Sequence, residues 1–302
     1  MTTVLRGKPI ASAIREEIAE GSAELAGDGA PPLLAVVLVG EDPASAIYTK
    51  SIERNAAKVG VATRVVGLDA GIGTGGVEEA IARLSRDEEV HGIILQQPLP
   101  ETIDASVVER IAPEKDVDGA TVRSLGLLLK GEECFAPCTA EAVVEMLVRG
   151  QIDIEGRHVV IVGRSAVVGK PLANLLLRKS RRGNATVTVC HSRTRDLAVH
   201  TSAADILVVA VGRPNAVTGG MMRPGAVVVD VGVNRIDDPG TEKGYRVVGD
   251  VNYEDALERA SVVTPVPGGV GTLTTTLLLR NTLAAARRAG GADDPDGSGA
   301  SG

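Results

Sequence analysis

Aromatic side chains are nearly absent from this chain of 302 residues, which contains no tryptophan, one phenylalanine and three tyrosines. Single-stranded nucleic acids are bound by stacking bases on aromatic side chains, so the composition excludes that kind of surface. An excess of basic residues is missing too, since 32 lysines and arginines stand against 39 acidic residues and the net charge is −7. A chain without a basic field is not expected to bind nucleic acid.

Long hydrophobic runs and paired cysteines are also missing. The longest aliphatic runs, such as residues 33–39, are far shorter than the roughly 20 residues of a membrane span. Cys134, Cys138 and Cys190 are odd in number and match no metal-ligand spacing. The first residues show no cationic start followed by an apolar stretch. These absences predict a cytoplasmic protein with reduced thiols, no metal and no membrane partner.

What the chain does contain is an alternation of aliphatic runs with segments of helical periodicity. The predicted strands are residues 33–40, 63–68, 91–96, 158–163, 186–191, 205–212, 226–231 and 261–265. The predicted helices are residues 11–25, 44–59, 77–84, 140–148, 168–177 and 272–286. Strands that are apolar on both faces and separated by helices are typical of a parallel sheet covered on both sides. The predicted class is therefore α/β.

A change in composition around residues 120–150 predicts a domain boundary. The polar stretch 130–133 precedes a helical segment for which Thr139 is the expected N-cap. We expect one domain from residues 1–138 with the helix at 272–289 returning to it, and a nucleotide-binding domain from residues 139–271. Residues 290–302 have no apolar side chains beyond two alanines and are expected to be disordered.

The strand at 158–163 leads directly into a glycine-containing turn, Gly163-Arg164-Ser165, which reaches Gly169 before a helix. Glycines at such a turn let the backbone approach a phosphate, whose charge the helix N-terminus favours. Ser165 holds the place of the second glycine of the usual fingerprint, and the spacing is one residue longer. The position after an apolar strand favours a dinucleotide site, and a tight turn without a ligand is the alternative.

The end of the next strand indicates which dinucleotide fits. NAD-binding chains usually carry an acidic residue there, whereas this chain has His191-Ser192-Arg193-Thr194. A guanidinium and hydroxyls suit a 2′-phosphate, and Arg164 adds a second cation. We therefore expect NADP, the alternative being a solvated loop with a chance arginine.

Further loops follow later strands. Residues 211–214, 230–232 and 249–251 fit the same crevice, and each also fits ordinary turn chemistry. Residues 264–271 hold three glycines and two prolines and are expected to line a site.

Seven segments taken together resemble one family, the bifunctional methylenetetrahydrofolate dehydrogenase/cyclohydrolase proteins. They are residues 39–45 (VGEDPAS) with Tyr48, 92–100 (GIILQQPLP), 113–119 (PEKDVDG), 137–139 (PCT), 163–169 (GRSAVVG), 191–194 (HSRT) and 267–271 (PGGVG). The resemblance covers about residues 4–287. It implies a catalytic domain, a Rossmann-type NADP domain, a folate substrate in the cleft between them, and a homodimer.

The family reaction implied by this resemblance has two steps. Hydride passes from 5,10-methylenetetrahydrofolate to NADP⁺, and the methenyl product is hydrolysed to 10-formyltetrahydrofolate. The resemblance implies that Tyr48 packs on the folate rings, Gln96 lies beside the reacting centre and Asp118 accepts from the pterin amino group. Without it, Tyr48 is a half-buried core residue, Gln96 the end of a strand and Asp118 part of a turn.

The resemblance also assigns the remaining site residues. The expected cofactor residues are Gly163, Arg164, Ser165, Gly169, Ser192, Arg193, Gly212, Pro214 and Val233, and the further substrate residues are Pro267, Gly268 and Gly269.

One position of the family pattern is broken. The family site centres on a Tyr-x-x-x-Lys pair, but this chain has Ile52 four residues after Tyr48. Lys50 cannot substitute, because two residues along a helix point about 160° away from each other. Gln97, Ala120, Ala140 and Thr272 also depart from the family pattern on the substrate side, while the cofactor segments keep it.

Hydrolysis needs proton transfers, whereas hydride transfer needs mainly positioning. We therefore expect an NADP-dependent methylenetetrahydrofolate dehydrogenase with impaired cyclohydrolase activity. The alternatives are an NADP oxidoreductase of the same fold that acts on another pterin-like substrate, and a non-catalytic NADP- or folate-binding paralogue.

Overall fold

The computed structural model describes residues 1–242 and 244–291. The chain divides into two compact units. The six-stranded unit consists of Met1–Ala11 and Thr139–Thr274, and the three-stranded unit consists of Ser12–Cys138 and the residues from Thr275 onward. Of the tail expected to be disordered, residues 292–302 lie outside the described residues.

The strands and helices of the described residues follow one another in α/β order. The strands are β1 (Thr3–Val4), β2 (Leu33–Val39), β3 (Ala62–Leu68), β4 (Gly92–Leu95), β5 (His158–Val162), β6 (Thr186–Cys190), β7 (Ile206–Val209), β8 (Val227–Asp230), β9 (Asn234–Asp237), β10 (Tyr245–Val248) and β11 (Val262–Val263). The α-helices are α1 (Gly7–Asp28), α2 (Pro43–Lys58), α3 (Gly73–Arg86), α4 (Val122–Lys130), α5 (Cys138–Arg149), α6 (Gly169–Leu177), α7 (Leu197–Thr201), α8 (Tyr253–Arg259) and α9 (Thr274–Ala289).

The six-stranded unit is built on a parallel sheet in the order β1-β11-β8-β7-β5-β6. Its central strands β5, β7 and β8 are Val- and Ile-rich and buried almost throughout, as expected for strands covered on both faces. Strand β1 pairs with β11, which is why Met1–Ala11 groups with this unit although the sequence analysis placed it with residues 12–138. Strands β9 and β10 form a separate antiparallel pair.

The three-stranded unit has a parallel sheet in the order β3-β2-β4. One face packs on α3, because alternate residues of β2 and β4, such as Val37 and Ile93, share a core with Ile81 of that helix. Residues between them along β4 point to the opposite face. On that face, a Cβ built on Gly92 would meet Val117 at 2.9 Å and Thr282 of α9 at 3.0 Å.

The predicted α/β class with a parallel sheet is confirmed, and the eight predicted strands correspond to β2–β8 and β11. The six predicted helices correspond to α1, α2, α3, α5, α6 and α9. The expectation that Thr139 is an N-cap is wrong, because α5 already begins at Cys138 and Thr139 lies in its first turn. None of the helices in the described ranges is long and apolar enough for a membrane span.

Candidate active site

The turn after β5 is closed by two glycines that have no room for a side chain. A Cβ on Gly163 would lie 2.2 Å from the Ala210 carbonyl oxygen, and one on Gly169 would lie 2.1 Å from the Gly163 carbonyl oxygen. Gly163 also has a φ of 136°, which favours glycine. Between the two glycines Arg164 and Ser165 are exposed, and the Ser165 hydroxyl accepts from the Val168 N–H at 3.1 Å. The turn therefore presents exposed polar groups just before the first residue of α6.

The turn after β6 is held by its own side chains. The Thr194 hydroxyl accepts from the His191 N–H at 2.9 Å, and His191 Nδ1 accepts from the Arg193 N–H at 3.1 Å. Ser192 and Arg193 are exposed. Because β5 and β6 are parallel neighbours, their carboxyl ends place Arg164 and Arg193 at the same sheet edge. Two guanidiniums and a hydroxyl at a sheet edge with a helix N-terminus fit a phosphate-bearing dinucleotide with a 2′-phosphate.

The loops after β7 and β8 carry the predicted cofactor residues Gly212, Pro214 and Val233, all of which are exposed. Two carboxylates lie beneath these loops. Both are in segments expected to fit the cofactor crevice, residues 230–232 and 249–251, although neither was assigned a role of its own. Asp250 is fully buried and Asp230 is 4% exposed. Burial raises the pKa of Asp230 to about 6, although hydrogen bonds from the Asp250, Val251 and Gly232 N–H groups act in the opposite direction.

The glycine- and proline-containing loop at 264–271 is packed against the chain's first helix. The Gly268 carbonyl accepts from the Gly7 N–H at 2.8 Å, and a Cβ on Gly7 would meet the Gly269 oxygen at 2.4 Å. Pro267 is exposed and follows a cis peptide bond. The Thr272 hydroxyl donates to the Gly269 oxygen at 2.8 Å, so Thr272, which departs from the family pattern, has a local partner.

In the three-stranded unit, helix α2 carries Tyr48 and Ile52 on adjacent turns. The helix begins after Asp42, whose carboxylate accepts from the Ser45 N–H at 2.7 Å, and the Ser45 hydroxyl donates to the Gln97 carbonyl at 3.0 Å. Tyr48 is 36% exposed, and its hydroxyl accepts from Thr275 Oγ1 at 3.5 Å. Ile52 is fully buried, so the family's lysine position is an apolar one here.

Two buried polar atoms near this helix lack a hydrogen-bond partner in the described residues. They are Gln96 Nε2 and Thr49 Oγ1, on side chains that are each 4% exposed. Gln96 follows β4 and points to the face opposite α3, and the bond from Ser45 to Gln97 places the start of α2 beside this segment. Buried amides and hydroxyls are nearly always paired, so these atoms indicate a place where a polar ligand atom is expected.

Asp118 lies in a turn that only glycine can complete. A Cβ on Gly119 would be 2.5 Å from the Ala136 carbonyl carbon, and the Gly119 φ is 61°. Burial raises the pKa of Asp118 to about 6, hydrogen bonds from the Cys138 thiol and backbone lower it, and the nearby Asp116 raises it. Within the described residues, the hydrogen bonds and charges that act on this carboxyl come from Cys138 and Asp116, and no cation is among them.

The neighbours of Asp118 fix this turn. Asp116 is fully buried and accepts from the Ala120 and Thr121 N–H groups and from two hydroxyls. From α9, Asn281 Nδ2 donates to the Val117 carbonyl at 2.9 Å and lies 3.7 Å from the Cys138 sulfur. Asn281 was missed in the sequence because it lies in an otherwise ordinary amphipathic helix.

Tyr48, Gln96 and Asp118 therefore belong to one face of the three-stranded sheet. Gln96 and Gly92 share that face by strand alternation, Gly92 contacts Val117, and the turn holding Asp118 follows. Tyr48 joins through α2 and Thr275. All three cysteines are free thiols. Among residues 1–242 and 244–291, no three His, Cys, Asp or Glu side chains converge as a metal site would require.

This arrangement defines a class of protein: an α/β enzyme with a dinucleotide site at the carboxyl ends of a parallel sheet, and a second unit whose unpaired buried amide at Gln96 is suited to bind a polar atom of a small substrate. The model for the tetrahydrofolate dehydrogenase/cyclohydrolase catalytic domain matches residues 5–118, and the model for the NAD(P)-binding domain of the same proteins matches residues 137–290. The chain belongs to the tetrahydrofolate dehydrogenase/cyclohydrolase family.

Individual relatives agree with this assignment. The chain is 49% identical over 284 residues to the bifunctional protein FolD of Natronomonas pharaonis, covering 94% of this chain and 95% of that protein. The FolD structure from Campylobacter jejuni is 40% identical, with a TM-score of 0.89, and covers 95% of this chain and 99% of its own. The Trypanosoma brucei enzyme, solved with NADP cofactor and an inhibitor, is 38% identical, with a TM-score of 0.87, and covers 95% of this chain and 98% of its own.

Proposed function

We propose that this protein is an NADP-dependent 5,10-methylenetetrahydrofolate dehydrogenase whose methenyltetrahydrofolate cyclohydrolase activity is impaired. The observation that carries the proposal is the placement of Tyr48, Gln96 and Asp118 on one face of the three-stranded sheet, with the aliphatic Ile52 on the same helix as Tyr48. The dinucleotide turns of the six-stranded unit keep the family pattern, and the named relatives are dehydrogenase/cyclohydrolases.

The cofactor side follows from the sheet edge of the six-stranded unit. Bound NADP⁺ supplies the carbon that accepts the hydride. Arg164, Ser192 and Arg193 are exposed and suited to hold the 2′-phosphate, and Gly163 and Gly169 let the backbone approach the diphosphate at the start of α6. Ser165, Gly212, Pro214 and Val233 complete the proposed cofactor contacts.

On the substrate side, the proposed roles follow from the burial and hydrogen bonding of each side chain. Asp118 accepts hydrogen bonds from the pterin amino group, which gives its carboxyl the polar partner that burial makes costly to lack. The unpaired Gln96 amide donates to a polar atom of the substrate near the reacting carbon. Tyr48 packs on the ring system, and Pro267, Gly268 and Gly269 contact the substrate from the loop before α9.

Ile52 separates the two activities. Hydride transfer depends on positioning and on a site that tolerates a developing cation, and neither requires a side chain that titrates. Hydrolysis requires an activated water and proton transfers, each of which is worth about 10²–10⁴-fold. A fully buried isoleucine transfers no proton, so the dehydrogenase step is retained and the hydrolytic step is slowed.

A two-wavelength assay tests this proposal. NADPH formation and methenyltetrahydrofolate disappearance are followed in one cuvette with 5,10-methylenetetrahydrofolate and NADP⁺. We expect NADPH to form while the methenyl product accumulates to the level left by its spontaneous hydrolysis. Rapid loss of the methenyl signal would refute the impaired hydrolysis. An absence of NADPH formation would favour another pterin-like substrate or a non-catalytic role, which titration with NADPH and folate would then separate.

By analogy with the family, we also propose that the protein acts as a homodimer in the cytoplasm. Light scattering of the purified chain tests the dimer, since a monomeric mass at working concentration would contradict it.

A further inference from the structure

The two buried carboxylates beneath the cofactor loops, Asp230 and Asp250, are bonded to backbone N–H groups instead of cations. Neither forms an ion pair with any lysine, arginine or histidine in the part of the chain that the structure describes. Buried carboxylates are costly unless they are bonded, so the arrangement of their donors shows what they hold in place.

Asp250 holds the loop that follows β7. Its Oδ2 accepts from the Val211 N–H at 2.6 Å and the Gly212 N–H at 2.9 Å, and its Oδ1 accepts from the Arg213 N–H at 2.8 Å. The Asn234 amide donates to the same Oδ1 at 2.8 Å. One carboxylate therefore fixes three successive N–H groups after β7 and the first residue of β9.

Asp230 in turn holds Asp250. Its Oδ1 accepts from the Asp250 N–H at 3.0 Å and the Gly232 N–H at 3.0 Å, and its Oδ2 accepts from the Val251 N–H at 2.9 Å. The Asp230 N–H donates to the Thr264 hydroxyl at 2.8 Å. Asp230 therefore fixes the backbone of Asp250, and Asp250 fixes the loop after β7.

Two glycines make room for this pair. A Cβ on Gly232 would lie 2.1 Å from the Asp250 carboxyl carbon, and a Cβ on Gly249 would lie 1.9 Å from Asp230 Oδ2. The carboxylates therefore fill the space that side chains at these two positions would need.

We propose that Asp250, held by Asp230, is the positioning residue that sets the two loops through which the six-stranded unit contacts NADP, residues 211–214 and 231–233. This inference rests on the proposed NADP site. Gly212 and Pro214 lie on the first loop, and Val233 lies between Gly232 and Asn234, each of which is bonded to one of the carboxylates. The carboxylates of Asp230 and Asp250 are buried, so they are assigned a role that acts through the loops that they hold.

Both oxygens of the Asp250 carboxylate are needed for this role, because the four groups that hydrogen-bond to it within the described residues are all donors. An asparagine keeps one acceptor oxygen but turns an NH₂ group toward backbone N–H groups, which leaves donors unpaired in a buried site. Asp250→Asn therefore changes little in volume but moves the loop after β7.

The test compares Asp250→Asn with Asp205→Asn in the full-length protein. Asp205 is the control because its carboxylate also accepts a backbone N–H, from His158 at 2.9 Å, but at the amino end of the same sheet, where it also pairs with Arg223. We measure the Kd for NADPH by fluorescence titration, the melting temperature, and KM and kcat with methylenetetrahydrofolate. Asp250→Asn is expected to raise the Kd for NADPH and the KM for NADP⁺ by at least about tenfold, with the folate KM within about twofold of the wild type.

A merely structural role predicts a different pattern. Loss of folded protein lowers the apparent kcat and the melting temperature but leaves the Kd of the folded fraction unchanged, and Asp205→Asn is expected to behave in that way. An Asp250→Asn protein with wild-type NADPH affinity would overturn the proposal. If Asp250→Asn does not fold, Asn234→Ala removes one donor at a partly exposed side chain and is expected to weaken NADPH about threefold. Unchanged affinity in that variant would equally overturn it.

The outcome is separable from the proposed function. A wild-type protein that binds NADPH but does not reduce NADP⁺ with methylenetetrahydrofolate would refute the dehydrogenase, and the Kd comparison would still decide the role of Asp250. A wild-type protein with no affinity for NADPH would overturn both.

Discussion

The buried polar groups at the two candidate sites are paired in different ways. At the strand ends of the six-stranded unit, Asp230 and Asp250 are bonded on both carboxylate oxygens by the chain itself. In the three-stranded unit, Gln96 Nε2 and Thr49 Oγ1 have no partner among the described residues, and Asp118 has hydrogen bonds only from Cys138 to offset its burial. At the cofactor site, the protein itself supplies the hydrogen-bond partners of the buried carboxylates. At the substrate site, we expect the bound ligand to supply the missing partners.

The largest expected effect is that of a substitution at Asp118, which tests whether the substrate site depends on this carboxylate. Asp118→Asn is expected to lower kcat/KM for methylenetetrahydrofolate by about 10³-fold, because the asparagine keeps one acceptor oxygen but turns an NH₂ group toward the pterin amino group in place of the second. NADPH affinity is expected to stay within a few-fold. Steady-state kinetics and NADPH titration measure both, and a variant that keeps most of its activity would show that the carboxylate only shapes the turn.

The same variant is expected to be more stable than the wild type. The pKa of Asp118 in the folded protein, about 6, lies above its ordinary value of 3.8, so the folded state binds more protons between these pH values. The contribution of Asp118 to the free energy of unfolding is therefore largest below pH 3.8, and it is lost as the pH rises to about 6. At neutral pH the loss is at most about 3 kcal/mol, which Asp118→Asn recovers in part. Denaturant melts at pH 4 and pH 7 measure the difference.

Asp116→Asn is the matched control for that stability gain. Asp116 lies two residues earlier and holds its turn with bonds from two N–H groups and two hydroxyls, so its loss is expected to lower the melting temperature. Equal shifts in the two variants would mean that the turn, and not the charge of Asp118, determines the result.

The next largest effect concerns the arginines of the six-stranded unit. Replacing Arg164 and Arg193 together by alanine is expected to raise the KM for NADP⁺ about 10- to 100-fold and leave that for NAD⁺ little changed, because only the 2′-phosphate is lost as a partner. Arg195→Ala, two residues beyond Arg193 and also exposed, is the control. An equal loss for both cofactors would show that the arginines shape the loops without reading the phosphate.

A smaller effect is expected from restoring the family residue in the three-stranded unit. Ile52→Lys is expected to increase methenyltetrahydrofolate hydrolysis about tenfold at neutral or higher pH, where a buried lysine with a lowered pKa is partly neutral and transfers protons. The buried ammonium costs several kcal/mol of stability, so melting temperature is measured in parallel. Ile52→Met is the control, because methionine changes the shape of the side chain at this position without adding a charge. A stable Ile52→Lys protein without hydrolysis would instead favour a remodelled pocket for another substrate.

The smallest expected effect sharpens the comparison at Thr49. Because its hydroxyl is buried and unpaired, Thr49→Val is expected to stabilise the protein by about 1 kcal/mol. Thr282→Val is the control, since the Thr282 hydroxyl donates to the Leu278 carbonyl at 2.9 Å and its removal is expected to destabilise. Chemical denaturation of both variants gives the difference. Destabilisation by Thr49→Val would mean that this hydroxyl is satisfied in solution.

The fold could be predicted for those strands and helices whose burial produces a recognisable hydrophobic pattern in one continuous stretch of sequence. Strands β5, β7 and β8 are continuous aliphatic runs because both of their faces are covered, and the periodic helices between them were equally clear. Strands β9 and β10 were missed because NRID and YRVV mix polar and apolar residues on a partly exposed pair. Strand β1 was missed because its two residues, Thr3 and Val4, carry too little pattern to detect.

The candidate site was predictable only in part, for a related reason. Gly163, Arg164 and Arg193 lie in local turns whose chemistry is visible in a few adjacent letters. Asp250 bonds to N–H groups 37 to 39 residues earlier in the chain, and backbone donors leave no residue-type signal. The sequence did contain one hint, since Gly232 and Gly249 lie close to the two aspartates along the chain. A glycine is typical of a position where another group approaches the backbone closely, but it does not indicate which group that is.

The packing of Gly232 against Asp250 and of Gly249 against Asp230 restricts the order in which these positions can change over generations. An alanine at Gly249 collides with the carboxylate as long as Asp230 is present, and the collision disappears once residue 230 is shortened. The effect of one substitution therefore depends on whether the other came first, so the cost of the double change is less than the sum of the single costs. As long as both carboxylates are kept, a side chain at 232 or 249 is expected to be costly, and the loss of one carboxylate removes the obstacle to a side chain opposite it.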